Sequence, residues 1–298
     1  MKNKNAIKPC LQDRIVLATN TILMLLFGIL ILYPLLFVIL ASFSRGSHVM
    51  TLNIIPDAWS VEGYKAVFEY KWIWIGYKNS MIYTVLGTII GVFFCVFAAY
   101  PLSKPDLDGR NLIMGFFVFT MYFGGGLIPT YLTYRNYGLL DNILVLLLPS
   151  AVNVYNMIIT RTYFASQIPA ELREAAFLDG CGEMRYLFKI VLPLSVPILA
   201  VVALYYAVGH WNSYFDAMVY MNTKAKRPLS IFLREILILN EADDITSTMD
   251  PDALASLEER KNVMKYALIV VSSVPMYILY PFVQKYFVKG IMIGSVKG

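Results

Sequence analysis

Residues 174–193 read EAAFLDGCGEMRYLFKIVLP and lie between two apolar runs. Glu174, Asp179, Glu183, Arg185 and Lys189 give this stretch a charge that its flanks lack. The spacing predicts two short helices around a glycine. Pro169 suits a first helical turn, where its missing N–H costs nothing, and Glu171 favours the positive end of the helix dipole. Leu172, Ala175 and Ala176 fall at i, i+3 and i+4 and so share one face. Gly180 is placed as a stop able to take the left-handed conformation. A second helix then aligns Met184, Leu187, Phe188 and Val191, and Pro193 opens the next apolar run.

The rest of the chain explains why that segment stands out. Its 298 residues are 58% hydrophobic and 15% charged, against about 25% charged in an ordinary soluble domain. Several runs of 18 or more residues carry no charge, which marks membrane spans. Six are predicted: Ile15–Phe43, Asn79–Tyr100, Asn111–Tyr131, Leu139–Thr160, Ile190–Tyr220 and Tyr266–Val283. The expected class is an all-α polytopic membrane protein with six transmembrane helices. The first run resembles a signal peptide in its basic start, but it is about twice the length of a signal h-region and reads as an uncleaved span. Its 29 residues would reach roughly 43 Å, so it must tilt, bend near Pro34 or protrude from a core of roughly 30 Å.

An even number of spans puts both termini on one side, and the basic residues choose the side. With the termini inside, the inner segments hold thirteen of the 25 Lys and Arg residues and seven acids, and the outer segments hold twelve and thirteen. Most outer charges sit in two long loops, where the charge rule is weak, so the short inner segments carry the signal. The organisation is a cytoplasmic tail 1–14, a six-span membrane domain 15–283 and a cytoplasmic tail 284–298. The charged loop 161–189 lies inside and a loop 221–265 outside. Loops of that length serve a purpose, and partner binding is the usual one.

Polar residues inside spans are costly and face a cavity or another helix. Asn153, Tyr155 and Asn156 lie in the fourth span, and Trp211, Asn212, Tyr214 and Asp216 close the fifth. Aromatic faces with amides and a carboxylate suit a sugar path; helix–helix hydrogen bonds and an interfacial aromatic belt explain the same residues. His210 reads as a packing hydrogen-bonder. Tyr122–Pro129, YFGGGLIP, is a flexible gate or a helix end. The three cysteines, Cys10, Cys95 and Cys181, form neither a disulfide framework nor a metal site, and no metal is expected. The span centres are nearly empty of Asp, Glu, Lys and Arg, against an ion-coupled secondary transporter. A membrane enzyme would need more clustered His, Asp or Glu than His210 and Asp216 supply.

The charged helix itself has two readings. It rests on lipid headgroups, or it offers small alanines flanked by Glu174 and Asp179 to a partner's groove. A lipid-binding helix is rich in Lys and Arg with large apolar residues, whereas this one is alanine and acid.

EAAFLDGCGEMRYLFKIVLP fits EAA-x3-G-x9-I-x-L-P without a gap and resembles the cytoplasmic loop of ABC importer permeases. YPLLFVILASFS, IIPDAWSVEGY, GYKNSMIYTVLGT, AAYPLSKPDLDGR, FGGGLIPTYL and VGHWNSYFDAMVYMNTKAKRPLSIFLREIL are similar to carbohydrate-uptake permeases of the LplC/YtcP-type branch. The ending VKGIMIGSVKG resembles the tail of the maltose permease G-type subunit, and the acidic outer stretch Glu241–Glu259 departs from the pattern. The resemblance implies a type I ABC importer permease fold in a bacterial cell membrane. It implies a heterodimer with a second permease, two cytoplasmic ABC ATPase subunits and an extracytoplasmic solute-binding protein delivering an oligosaccharide; a peptide or other non-sugar solute is the alternative. Glu174, Ala175, Ala176, Asp179 and Gly180 would form the ATPase-coupling helix, and Gly294, Lys297 and Gly298 an ATPase-contacting tail. Membrane lipid is the remaining partner, and nucleic acid is not expected. No phosphate-cradling G-x-x-x-x-G-K-[ST] loop is present. The expectation is therefore no enzyme and no cofactor on this chain, with ATP and Mg bound by partner ATPase subunits.

Overall fold

The structure, a computed structural model, describes residues 10–44, 58–238, 264–281 and 284. These are helical apart from turns, loops and one isolated bridge between Ser44 and Trp59. They fall into two compact units. One holds α1 (Leu11–Ala41), α2 (Glu62–Glu69) and the residues of a last helix up to Val271. In it the Asp13 carboxylate accepts a hydrogen bond from the Cys10 amide at the start of α1 (3.0 Å), and the helix runs unbroken through Pro34. The apolar side chains of α1 are exposed along nearly its whole length, as in a helix that faces lipid or a partner helix.

The second unit is built on α3 (Lys71–Ser103). The predicted span covered only Asn79–Tyr100; the helix starts two turns earlier and stops at Lys104, where Pro105 disfavours helical backbone. Gly87 and Gly91 lie on the face of α3 that meets α10 (Val196–Asn212). The His210 ring occupies the space a side chain at Gly87 would need, and a Cβ at Gly91 would stand 2.6 Å from Tyr206. Between membrane helices, where lipid tails are as apolar as leucine, such close approach through small residues is a main source of packing energy.

Three predicted spans are interrupted. Asn111–Tyr131 is a pair, α4 (Arg110–Tyr122) and α5 (Leu127–Asn136), meeting at 110°. The glycines 124–126 cause the break: Gly126 has φ +84° and ψ 172°, a region that essentially only glycine adopts. Leu139–Thr160 is not one helix. It contains the single turn α6 (Leu144–Leu147) and then α7 (Val154–Gln167), which runs past Thr160. Pro149 lies in the break, and the Asn153 side chain caps α7 by accepting from the Asn156 amide at 3.0 Å. The Tyr206 hydroxyl accepts from the Asn153 amide (3.1 Å) and donates to the Ala151 carbonyl (3.2 Å). Backbone groups freed inside a membrane protein need such partners.

Ile190–Tyr220 resolves into α9 (Glu183–Leu194), α10 at 83° to it, and α11 (Phe215–Tyr220). Pro193 and Pro197 flank the bend at Ser195, and Pro197 has no N–H to donate to the Pro193 carbonyl. The unit also contains α12 (Leu229–Ile238), and the last helix, α13, spans Met264–Pro281. Among the described residues three single helices are long and apolar enough to cross a membrane, or five spans if each bent pair counts as one.

The core of this unit runs along α3. Cys95, Val96, Ala99 and Leu102 pack with Met157 and Phe164 of α7, Leu187 and Val191 of α9, and Val202 and Tyr206 of α10. A second cluster joins Tyr83 to Val145, Ala217, Tyr220 and Ile231. The same core receives Ala176, from a short helix at the end of α7, and so fixes the charged segment.

Candidate coupling site

That short helix is α8 (Ala170–Leu178), with Pro169 at its N-cap and Glu171 in its first turn. Gly180 ends it with φ +75°. The Gly180 amide donates to Phe177 (3.0 Å) and the Cys181 amide to Ala176 (2.9 Å), the paired bonds of a left-handed helix stop. The sequence grouped Leu172, Ala175 and Ala176 on one face, and the structure divides them. Ala176 is buried in the core, whereas Leu172 and Ala175 are exposed. The outward stripe is instead Glu171, Glu174, Ala175 and Leu178, at i, i+3, i+4 and i+7. Leu178 is 90% exposed, and Asp179 and Gly180 extend the stripe past the helix end. The stripe thus sets one exposed leucine among the carboxylates of Glu171, Glu174 and Asp179.

On the opposite side a charged bracket holds α8 down. The Arg173 guanidinium forks onto both Asp106 oxygens (3.2 and 3.0 Å) and reaches Glu183 Oε1 (2.9 Å). Glu183 Oε2 accepts from the Tyr100 hydroxyl (2.5 Å) and from Lys104 Nζ. Lys104 Nζ also lies 4.3 Å from the Tyr100 ring centre, and Arg173 lies 5.3 Å from that of Phe177. Arg161 Nε on α7 donates to the Leu102 carbonyl at 2.8 Å. Thus the end of α3, the turn that follows it, α7, α8 and the first residues of α9 are tied together. Two cations meet two carboxylates, so the bracket is neutral.

Glu183 lies before the apolar run that begins at Ile190. Burial raises its pKa, but the bonds from Lys104, Tyr100 and Arg173 outweigh burial and hold it at about 2. The forked bonds from Arg173 also lower the Asp106 carboxyl, and in return the carboxylates keep Arg173 firmly charged. Reading the sequence missed Tyr100, Lys104, Asp106, Arg173 and Glu183. The one signal was that PLSKPDLDGR and the charged loop fall on the same side of the membrane by charge count.

The polar span residues go to different places. Asn153 is the α7 cap, Asn156 is buried beside it, and Tyr155 is exposed with its ring 6.3 Å from Tyr205. Trp211, Asn212 and Tyr214 line a cavity of about 610 Å³ with residues of α12 and the end of α13; Asp216 is not among the lining residues. The Trp211 indole N–H donates to the Ser272 carbonyl at 3.2 Å. Gly294, Lys297 and Gly298 lie outside the described residues, as does Glu241–Glu259.

Known proteins are similar to this chain along nearly its full length. Protein LplC of Bacillus subtilis (strain 168) is 41% identical over 273 residues, 91% of this chain and 91% of its own. The polygalacturonan/rhamnogalacturonan transport system permease protein YtcP of the same organism is 40% identical over 277 residues, 92% of this chain and 96% of its own. The chain belongs to the carbohydrate ABC transporter permeases. No family model matches it. A solved bacterial ABC transporter involved in the import of the acidic polysaccharide alginate contains a chain 34% identical to this permease, with a TM-score of 0.83. The match covers 95% of the permease and 100% of that chain. YtcP is by name a transport system permease, and with its apolar helices this chain is likewise a multi-pass membrane permease. The secondary-transporter alternative gives way to this reading.

Proposed function

We propose that the permease forms the membrane path of an oligosaccharide importer together with a second, different permease subunit. Two cytoplasmic ATPase subunits bind ATP and its Mg²⁺, and an extracytoplasmic binding protein delivers the sugar. The chain itself needs no cofactor. Both termini and α8 face the cytoplasm, in line with the excess of Lys and Arg in the short inner segments.

The observation that carries this reading is the two-sidedness of α8. Its outer stripe of Glu174, Ala175, Leu178 and Asp179 is free to enter a groove on an ATPase. Its inner side is pinned by Arg173 and Ala176 to the ends of α3 and α9. A helix exposed on one side and locked on the other moves with the spans beneath it. ATP binding that closes the ATPase pair therefore shifts the permease, provided ATP binds one global state more tightly than the other. The small Ala175 lets the helix backbone approach the groove, and the two acids pair with cations at its rim. The tail residues Gly294, Lys297 and Gly298 add a second ATPase contact.

The test is ATP hydrolysis by the reconstituted transporter with and without loaded binding protein. Wild type should be stimulated, whereas Gly180→Arg and Glu174→Lys should lose stimulation or ATPase retention while inserting normally. Unchanged stimulation in both variants would overturn the assignment of α8.

A further inference from the structure

The two helices of the charged segment present opposite chemistries. Helix α8 turns alanine and carboxylates outward, whereas α9 turns out Met184, Arg185, Phe188 and Lys189, two large apolar side chains alternating with two cations. Tyr186, Leu187 and Val191, on the other side of α9, are buried. Over Leu187–Val191 the backbone widens into a π turn, a rare form that adds one residue to the turn and is frequent at functional sites. Phe188 and Lys189 lie in that turn.

The bend at Ser195 decides what lies against this face. Helix α10 is apolar enough to be part of a span, and α9 meets it at 83°. Membrane helices stand on average within about 20° of the bilayer normal, so α9 runs close to the membrane plane. The Phe188 ring lies 6.2 Å from Phe97 of α3, and Phe97 lies 4.4 Å from the exposed Phe93. Both α3 residues belong to its uncharged run, so the outward face of α9 continues an apolar membrane face of α3. The bracket begins at Lys104, seven residues and roughly 10 Å beyond Phe97 along a helix. Phe188 therefore sits where apolar surface gives way to charge.

Arg185 and Lys189 enter no ion pair among the described residues. Glu183, two residues before Arg185, is engaged in the bracket. The chain ends 1–9 and 282–298, which the importer reading puts on the same side of the membrane, contain no Asp or Glu. Cations and large apolar groups together on one helix face are the composition of a helix lying in a membrane surface. Its apolar groups enter the acyl boundary and its cations stay among the phosphates.

We propose that the outward face of α9 lies in the membrane surface and that Arg185 and Lys189 bind the phosphate of an anionic phospholipid. That lipid holds α9 at a fixed depth and, through Glu183, the bracket and α8 with it. The proposal goes beyond the importer reading and takes from it only the side of the membrane. A protein subunit is the competing occupant, but the continuity of Phe188 with the span face of α3 favours lipid. Each basic residue at an anionic membrane surface strengthens attraction about fivefold, so the pair gives roughly thirtyfold.

The experiment uses the assembled transporter, with its ATPase subunits, in nanodiscs of equal phosphatidylcholine and phosphatidylglycerol. Benzoylphenylalanine replaces Phe188, and mass spectrometry of the crosslinked peptide identifies the lipid captured. Phosphatidylglycerol should exceed phosphatidylcholine by about tenfold or more, short of the full thirtyfold because the crosslinker reaches more than one lipid. The same crosslinker in place of Phe93 should take the two lipids equally. Arg185→Gln with Lys189→Gln should bring the ratio at the Phe188 position to within about twofold of equality. Arg185→Lys with Lys189→Arg keeps both charges and should keep the enrichment. Equal capture of the two lipids in wild type would overturn the proposal, as would crosslinks to a protein subunit in place of lipid or equal loss in both double variants. Enrichment abolished by added inorganic phosphate would mark a general anion site and overturn it too. A transporter still stimulated by loaded binding protein in those cases shows that only the lipid site has failed. ATPase subunits missing from the preparation would instead count against the importer reading.

Discussion

Replacing Glu183 with glutamine keeps the shape of the side chain and removes the charge at the centre of the bracket. Glu183 accepts from Tyr100, Lys104 and Arg173, with its own side chain 40% exposed and that of Lys104 16% exposed. A buried charged hydrogen bond contributes about 1.5–3 kcal/mol, whereas exposed ion pairs contribute about 0.2–1 kcal/mol. Half-exposed bonds fall toward the lower range, so the three together hold α8 by about 2 kcal/mol. The core contacts of Ala176, Tyr186 and Leu187 remain, so α8 should loosen locally without global unfolding. An opening free energy lower by about 2 kcal/mol is about thirtyfold in the opening constant. Hydrogen exchange of the amides of residues 172–186 should speed by that order, with α10 unaffected. Arg173→Met should act in the same direction, and the double variant should fall short of the sum by about 1 kcal/mol, because the two share one bond. Stimulated ATP hydrolysis should drop while basal hydrolysis persists. Wild-type exchange rates in Glu183→Gln would refute the bracket as the anchor of α8.

The remaining predictions concern the bends, the close approach and pH. Gly91→Leu places a side chain where Tyr206 stands and should destabilise the unit by about 1–3 kcal/mol, visible as a lower melting temperature in detergent. Gly126→Val forces a β-branched residue to φ +84° at a cost of about 1–3 kcal/mol. Spin labels placed on α4 and α5 should then report a changed distance, and an unchanged one would show that the bend does not depend on Gly126. Glu183 has a folded pKa of about 2, below its ordinary value of about 4.3. Its contribution is therefore complete above about pH 4.3 and is lost as pH falls through about 2. After correction for intrinsic exchange, protection of α8 should be flat from pH 8 to 5 and fall below pH 4.

Much of the membrane architecture was legible because uncharged runs are a strong signal, and α1, α3 and α13 lie where the apolar runs put them. The bends were not, since hydropathy averages over a break. Residues 124–126 and Pro193 with Pro197 were visible as helix breakers, yet the apolar run continues across each. Helix α8 was legible in outline, with Gly180 read correctly as its stop. Its orientation was not, because three apolar residues at helical spacing fit either the core or a partner, and tertiary packing sent Ala176 inward and Ala175 outward. Arg173 and Glu183 are ten positions apart, but the other bracket pairs are 67 to 83 positions apart, with no local periodicity to reveal them.

The central claim is that the outer stripe of α8 seats in an ATPase subunit, and a photo-crosslinker at its most exposed position tests it most directly. Benzoylphenylalanine in place of Leu178 should, on illumination of the intact transporter, join the permease to an ATPase subunit. The yield should change when ATP is bound. Crosslinks to lipid alone, from a preparation in which the ATPase subunits are present and active, would contradict it.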